Sequence, residues 1–193
     1  MTDYYTENGK RFIQATIDVD MSELVSAFLN EVGPSGHILD AGCGSGRDSK
    51  RFKELGYQVS AFDQSQIMVQ QTRAHAGVEA WLGRFEDLAI EDRYDGIWCC
   101  ASLLHVKEKN LPDCLGRLAA ALTDSGILYM SFKEGSGERF ERGRHFTDQS
   151  EEGLAALVSA TEKLRLIRTW RTPDRRDDHQ GFWWVNALAR KEL

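Results

Sequence analysis

His37-Ile38-Leu39-Asp40-Ala41-Gly42-Cys43-Gly44-Ser45-Gly46-Arg47 is the stretch that decides how the rest of this 193-residue chain is read. Ile38 and Leu39 read as the end of a buried strand. Gly42, Gly44 and Gly46 then open a tight loop, and the apolar positions Phe52 and Leu55 begin a helix. Strand, glycine loop and helix in that order make a ligand cradle, because residues without side chains let the backbone approach a ligand and take positive φ. The dinucleotide pattern G-x-G-x-x-G starts at Gly42 and Gly44 but meets Arg47 where its third glycine belongs. The triphosphate loop G-x-x-x-x-G-K-[ST] is absent as well. Asp40, directly before the glycines, repels a pyrophosphate and favours a cationic ligand.

Working outward, Tyr57 to Asp63 reads as a second strand that ends on a carboxylate about 20 residues beyond the loop, where a doubly wound sheet lays the ribose of a nucleoside. Asp63 is therefore expected to accept hydrogen bonds from ribose hydroxyls. A helix carrying Ile67, Met68 and Val69 follows, then strands at Val78 to Leu82, Tyr94 to Cys100 and Gly126 to Lys133. Between the last two, Asn110 and Pro112 open a helix whose apolar face is Leu111, Leu115, Leu118 and Leu122. Glu134 to Thr147 reads as a polar loop beside the cleft. Leu154, Leu157 and Val158 mark a final helix, and Leu164 to Trp170 with Phe182 to Ala189 form a closing hairpin around an exposed connector, Pro173 to Gly181. Trp170, Trp183 and Trp184 read as core aromatics or as a stacking surface.

Upstream of the glycine loop, Met21, Leu24, Val25, Phe28, Leu29 and Val32 predict a helix over about Asp20 to Asn30, stopped by Gly33-Pro34-Ser35-Gly36. Tyr4 to Asp18 shows no clear period and reads either as a cover over the site or as a loosely ordered terminus. The predicted fold class is α/β: a Rossmann-like three-layer α/β/α sandwich with a seven-stranded, mostly parallel sheet and an antiparallel C-terminal hairpin, residues 1–193 forming one domain with 1–33 as an N-terminal lid segment.

A hydrophobic content of 41% supports one good core, and no apolar run reaches the roughly 20 residues of a membrane helix. With no signal-peptide character at Met1-Thr2-Asp3-Tyr4-Tyr5, a cytoplasmic protein is expected, monomeric or weakly dimeric. The net charge of −6 argues against a nucleic-acid partner. Cys43, Cys99, Cys100 and Cys114 form no C-x-x-C pair, so reduced thiols without metal are expected, and alternation places Cys99 and Cys100 on opposite faces of their strand. No basic partner close in sequence makes either thiol a nucleophile.

Ile38-Leu39-Asp40-Ala41-Gly42-Cys43-Gly44-Ser45-Gly46 resembles the first motif of the class I S-adenosylmethionine-dependent methyltransferases, and later motifs follow in the expected order. That resemblance implies S-adenosyl-L-methionine as cofactor and a small-molecule methyl acceptor. It implies cofactor contacts at Tyr5, Asp40, Ala41, Gly42, Cys43, Gly44, Arg47, Asp63, Gln64, Met68, Phe85, Glu86, Cys100 and Ala101. Met68 and Phe85 then enclose the adenine, although either side chain reads equally as core. Many relatives carry an acid directly after the glycine at position 83, where this chain has Arg84, so that contact passes to backbone at Arg84 and Phe85 or to Glu86.

His105 and Ser102 face the substrate pocket in the resembled family. His105 is either a general base or a neutral histidine bonded to backbone. Arg142 and Arg144 are candidate grips for an anionic substrate group, and Gly143-Arg144-His145-Phe146 resembles a recurring feature of small bacterial members, which favours Arg144. The rival readings are an RNA or protein methyltransferase, and a cofactor-binding partner subunit without activity.

Overall fold

The structure, a computed structural model, describes residues 2–88, 94–176 and 181–192. Strands β1 (His37–Ala41), β2 (Gln58–Asp63), β3 (Glu79–Leu82), β4 (Tyr94–Cys99) and β5 (Leu122–Lys133) run parallel. With β8 (Leu164–Pro173) and β9 (Trp183–Lys191) they make a seven-stranded sheet in the order β3-β2-β1-β4-β5-β9-β8. Only β9 opposes the others, pairing antiparallel with both β5 and β8. The strand order reverses between β1 and β4, and a doubly wound sheet binds ligands where such a reversal opens a crevice at the carboxyl ends.

Alternation along the strands divides the core into two layers. Leu39, Ile97 and Leu128 pack on one face beneath α5 (Leu111–Ala121) and α6 (Glu151–Ser159). Their neighbours Ile38, Trp98 and Tyr129 pack on the other face beneath α2 (Ser22–Val32) and α3 (Arg47–Glu54). Trp98 stacks on Tyr129 with ring centroids 3.9 Å apart, and Phe28 closes on Trp98 at 5.2 Å. Cys99 is buried within the first layer while Cys100 is partly exposed, as the alternation required. A Cβ at Gly96 would lie 2.6 Å from the Phe28 ring, so this strand position lets α2 settle onto β4. Helix α4 (Gln66–Ala76), after β2, buries Met68 and Val69.

Three local expectations are corrected. Tyr4 to Asp18 is neither aperiodic nor loose: Thr2–Thr16 is a helix, α1. Its inner face runs Tyr5, Gly9, Phe12 and Thr16, a stripe hidden from an apolar count because two of its four members are Gly and Thr. Gly9 is there for closeness, since a Cβ would lie 3.2 Å from Ile67 and 3.5 Å from Met68 on α4. The second correction concerns the polar loop, which is a hairpin of β6 (Gly137–Glu141) and β7 (Arg144–Asp148). Arg142 and Gly143 turn it with φ of 49° and 78°, the double left-handed geometry of a two-residue hairpin turn. Such a turn is usually written Asn-Gly or Asp-Gly, so the arginine concealed it.

Third, Asn110 makes no side-chain cap bond. A 3-10 turn over Glu108–Asn110 runs straight into α5, leaving Asn110 with helical backbone angles (φ −98°, ψ −11°) instead of the extended ones a capping residue uses. Trp170 and Trp184 are half-buried against the core and Trp183 is exposed. The connector expected from Pro173 to Gly181 lies partly outside the described residues, at 177–180.

Candidate active site

The loop after β1 is shaped first by its own packing. Gly42, Gly44 and Gly46 all have positive φ (84°, 51° and 79°). A Cβ on Gly42 would lie 2.4 Å from the Ser102 Cβ, and one on Gly46 would lie 2.8 Å from the Thr72 backbone. Two of the three glycines are thus demanded by neighbouring chain, whereas Gly44 faces the Phe12 ring of α1 across 3.4 Å. Gly42 and Cys43 both donate their N–H to the Phe62 carbonyl, at 2.8 and 3.0 Å, which folds the loop over the end of β2.

Asp63 fastens this arrangement. Its Oδ2 accepts the Gly44 N–H at 3.0 Å and its Oδ1 accepts the Ser65 N–H at 2.9 Å. A carboxylate has about four acceptor positions, so room remains for a ligand hydroxyl. Burial raises the Asp63 carboxyl to about 6 against the pull of these backbone donors. Asp40 lies deeper, accepts the Ser49 hydroxyl at 2.5 Å, and is raised to about 7 by burial and then by the charge of Asp48. Two partly desolvated acids behind a glycine loop gain from a cation placed nearby and lose from an anion.

Arg47, the residue that breaks the dinucleotide pattern, joins α3 to α1. Its Nε and Nη2 donate to the two oxygens of Asp48, each at 2.7 Å, and its Nη1 donates to the Thr16 carbonyl at 3.2 Å. The Trp98 indole N–H donates to Asp48 at 2.9 Å, so the pair is held from below. Arg47 also donates to the Cys100 sulfur at 3.9 Å. Burial pushes the Cys100 thiol up to about 12, so it stays protonated and is no nucleophile.

Beyond β4 the chain turns sharply at Ala101, a non-glycine residue with φ of 52°. Its N–H donates to the Ser131 hydroxyl at 2.8 Å, which pins the turn to β5. Left-handed conformation at alanine costs about 1–3 kcal/mol and is characteristic of functional turns. Ser102 spends its hydroxyl on the Ala41 carbonyl at 2.7 Å.

The His105 Nδ1 lies 2.7 Å from the His145 carbonyl oxygen. A carbonyl only accepts, so the proton sits on Nδ1 and Nε2 carries a lone pair. Burial first, then the charges of Arg144 and Lys133, bring the imidazole down to about 4 against the opposing pull of the His145 carbonyl.

These pieces surround a cavity of about 1290 Å³. It is bordered by Tyr5, Asp40, Gly42, Cys43, Gly44, Arg47, Asp63 and Gln64 from the cofactor set, and by Met68, Phe85, Glu86, Cys100 and Ala101. Ser102, His105 and Arg144 border it too. Ala41 does not: it is fully buried in the core layer and reaches the site only through its carbonyl bond to Ser102. Met68 and Phe85 prove to be core and lining at once, with Phe85 set edge-on against Phe62 at 5.3 Å. Arg84 and Glu86 are exposed at the cavity margin.

Sequence reasoning missed Phe12 and Lys133 as lining residues and placed Phe146 only within a motif. The seven-residue spacing of Tyr5 and Phe12 was the available sign for the first. Lys133 sits at the carboxyl end of β5, the same rule that picked out Asp63.

Residues 38–126 match the family described as "Methyltransferase domain". Among curated proteins, an uncharacterized methyltransferase of Staphylococcus carnosus is 28% identical over 125 residues, covering 64% of this chain and 58% of its own. A malonyl-[acyl-carrier protein] O-methyltransferase of Erwinia pyrifoliae is 33% identical over 102 residues, covering 51% and 38%. The chain thus spans well under two thirds of these relatives' length.

In solved structures the fold recurs in the Burkholderia thailandensis 1,6-didemethyltoxoflavin-N1-methyltransferase with bound 1,6-didemethyltoxoflavin and S-adenosylhomocysteine. The two share a TM-score of 0.82 at 23% identity, over 100% of this chain and 87% of that one. The Synechocystis magnesium protoporphyrin IX methyltransferase with bound S-adenosylhomocysteine gives 0.75 at 17% identity, over 99% and 98%. Residues 38–126 thus resemble a methyltransferase domain, and the fold of the whole chain is that of these methyltransferase structures.

Proposed function

We propose that the chain transfers a methyl group from S-adenosyl-L-methionine to a nucleophilic atom of a small molecule, and that both bind in the cavity over β1 and β4. The observation that carries this is the pairing of an acid-backed glycine loop with a space larger than one ligand needs. A pocket for one drug-sized ligand spans about 300–1,000 Å³, and this one holds about 1290 Å³. When bound, S-adenosyl-L-methionine supplies an electrophilic methyl carbon on a sulfonium.

This chain's residues do the rest by placement. Gly42 and Gly44 present backbone to the amino-acid end, with Asp40 behind them. Asp63 accepts from the ribose through the positions that Gly44 and Ser65 leave open. Met68 and Phe85 flank the base, and Phe12 and Tyr5 roof the loop from α1. His105, neutral and with its lone pair on Nε2, accepts a hydrogen bond or proton from the acceptor. Holding two reactants in line supplies much of the acceleration in such a transfer. Among the described residues no helix is long and apolar enough to cross a membrane, and a net charge of −6 disfavours a nucleic-acid acceptor.

The test is to incubate the protein with methyl-labelled S-adenosylmethionine and fractions of cell extract, following S-adenosylhomocysteine by mass spectrometry. Turnover with the low-mass fraction supports the reading. Turnover only with RNA or protein fractions, or no binding of either cofactor form by calorimetry, overturns it.

A further inference from the structure

We propose that the acceptor carries an oxyanion, a carboxylate or a phosphate, held between Lys133 and Arg144 beside the Phe146 ring; this rests on the methyl-transfer reading and narrows its substrate. In a chain of net charge −6, one buried phenyl gathers three cations. The Lys133 Nζ lies 5.0 Å from the Phe146 centroid, the Arg139 guanidinium 4.5 Å and the Arg144 guanidinium 5.0 Å. Arg139 is neutralised: it donates to Asp148 at 2.6 Å and pairs with Glu141. Asp148 and Glu141 are thereby engaged, and the hairpin's remaining acid, Glu138, faces the His145 ring at 3.1 Å.

Lys133 and Arg144 are left without a carboxylate partner within 4 Å among the described residues, and both border the cavity. Arg144 is held in place by aromatic groups. Its guanidinium sits 4.3 Å from the Tyr4 centroid, and its charge acts on the Tyr5 hydroxyl. Its Nε is buried and has no hydrogen-bond partner, a donor for which the chain supplies no acceptor. A buried donor left unmade costs about 1–3 kcal/mol, and a planar guanidinium matches the two oxygens of a carboxylate or phosphate. His105 lies against the same phenyl at 4.9 Å, so an oxyanion placed here sets the rest of the acceptor beside the histidine.

The probes are benzoate, phenyl phosphate and the uncharged benzyl alcohol, titrated by calorimetry into the protein saturated with S-adenosylhomocysteine. At least one anion is expected to bind more tightly than the alcohol, and the stronger of the two identifies the oxyanion. Lys133→Gln and Arg144→Gln should each weaken that binding at least ten-fold. Arg165→Gln, which removes a 54% exposed cation that does not border the cavity, should leave it unchanged.

Equal binding of alcohol and anions, no binding at all, or equal losses in all three variants overturns the proposal. Because Arg144 also touches α1, the Lys133 variant decides if the Arg144 variant fails to fold. S-adenosylhomocysteine is titrated first: its failure to bind removes the methyl-transfer reading, while anion titration of the bare protein still decides this one.

Discussion

The backbone N–H of Gly44 and the carboxylate of Asp63 are joined by a 3.0 Å hydrogen bond across 19 positions of sequence. One side chain therefore both ties down the glycine loop and faces the cavity. Asp63→Ala is expected to weaken S-adenosylhomocysteine binding by about ten-fold or more, since hydrogen bonds to a charged group contribute about 1.5–3 kcal/mol and each 1.4 kcal/mol is a factor of ten. Asp63→Asn, which keeps one acceptor oxygen, should fall between. Calorimetry on the three proteins checks the order.

Asp40 and Asp63 give binding a pH dependence. Their folded carboxyls, raised to about 7 and about 6, hold protons that an unfolded chain would release near 4. They therefore favour the ligand-free fold at low pH, and that contribution is lost as pH rises through 6 and 7. A cationic ligand prefers the ionised acids, so S-adenosylmethionine affinity should rise between pH 5.5 and 8. Asp40→Asn should flatten that rise, and a rise of unchanged size in this variant would remove Asp40 from the account.

Gly42→Ala tests the loop's packing. The new Cβ would meet Ser102 at 2.4 Å with the backbone at φ 84°, so a loss of about 1–3 kcal/mol in unfolding free energy is expected. Adding Ser102→Gly should restore part of it by removing the clash, although it also removes the hydroxyl bonded to Ala41. Denaturant melts of the single and double variants give the comparison.

His105 has the opposite sign to the two acids. Its folded pKa, lowered to about 4, means that an unfolded chain takes up its proton first, near 6.5. Its contribution to stability is present above pH 6.5 and declines as pH falls towards 4. His105→Gln should reduce the slope of stability against pH in that window. In turnover, the wild-type imidazole stays neutral through pH 6 to 8, so an activity inflection near 6.5 that vanishes in His105→Gln would contradict the lowering of His105 by burial.

Much of the frame was legible because its signals were local. Ile38 and Leu39 show a strand by apolarity, the glycines a loop by steric need, and Asp63 a ligand position by its distance from that loop. The parts that were not legible depend on partners distant in sequence. Asp40 and Asp63 were read as charges facing a ligand, whereas each is already bonded to the chain, through Ser49, Gly44 and Ser65. Phe12 and Gly9 look unremarkable until α4 lies beneath them. Arg142 at a hairpin turn contradicts the usual residue choice, and no single-sequence pattern shows that Arg139 consumes the acids that would otherwise neutralise Arg144.

Helix α1 is fastened at both ends, by the Arg47 hydrogen bond to the Thr16 carbonyl and by the Arg144 guanidinium over the Tyr4 ring. Phe12 on that helix borders the cavity over Gly44, and Arg144 borders the same cavity from the hairpin. On the proposed reading, an acceptor held by Arg144 shares its anchor with the helix above the glycine loop, so emptying one half of the cavity is expected to free the cover of the other.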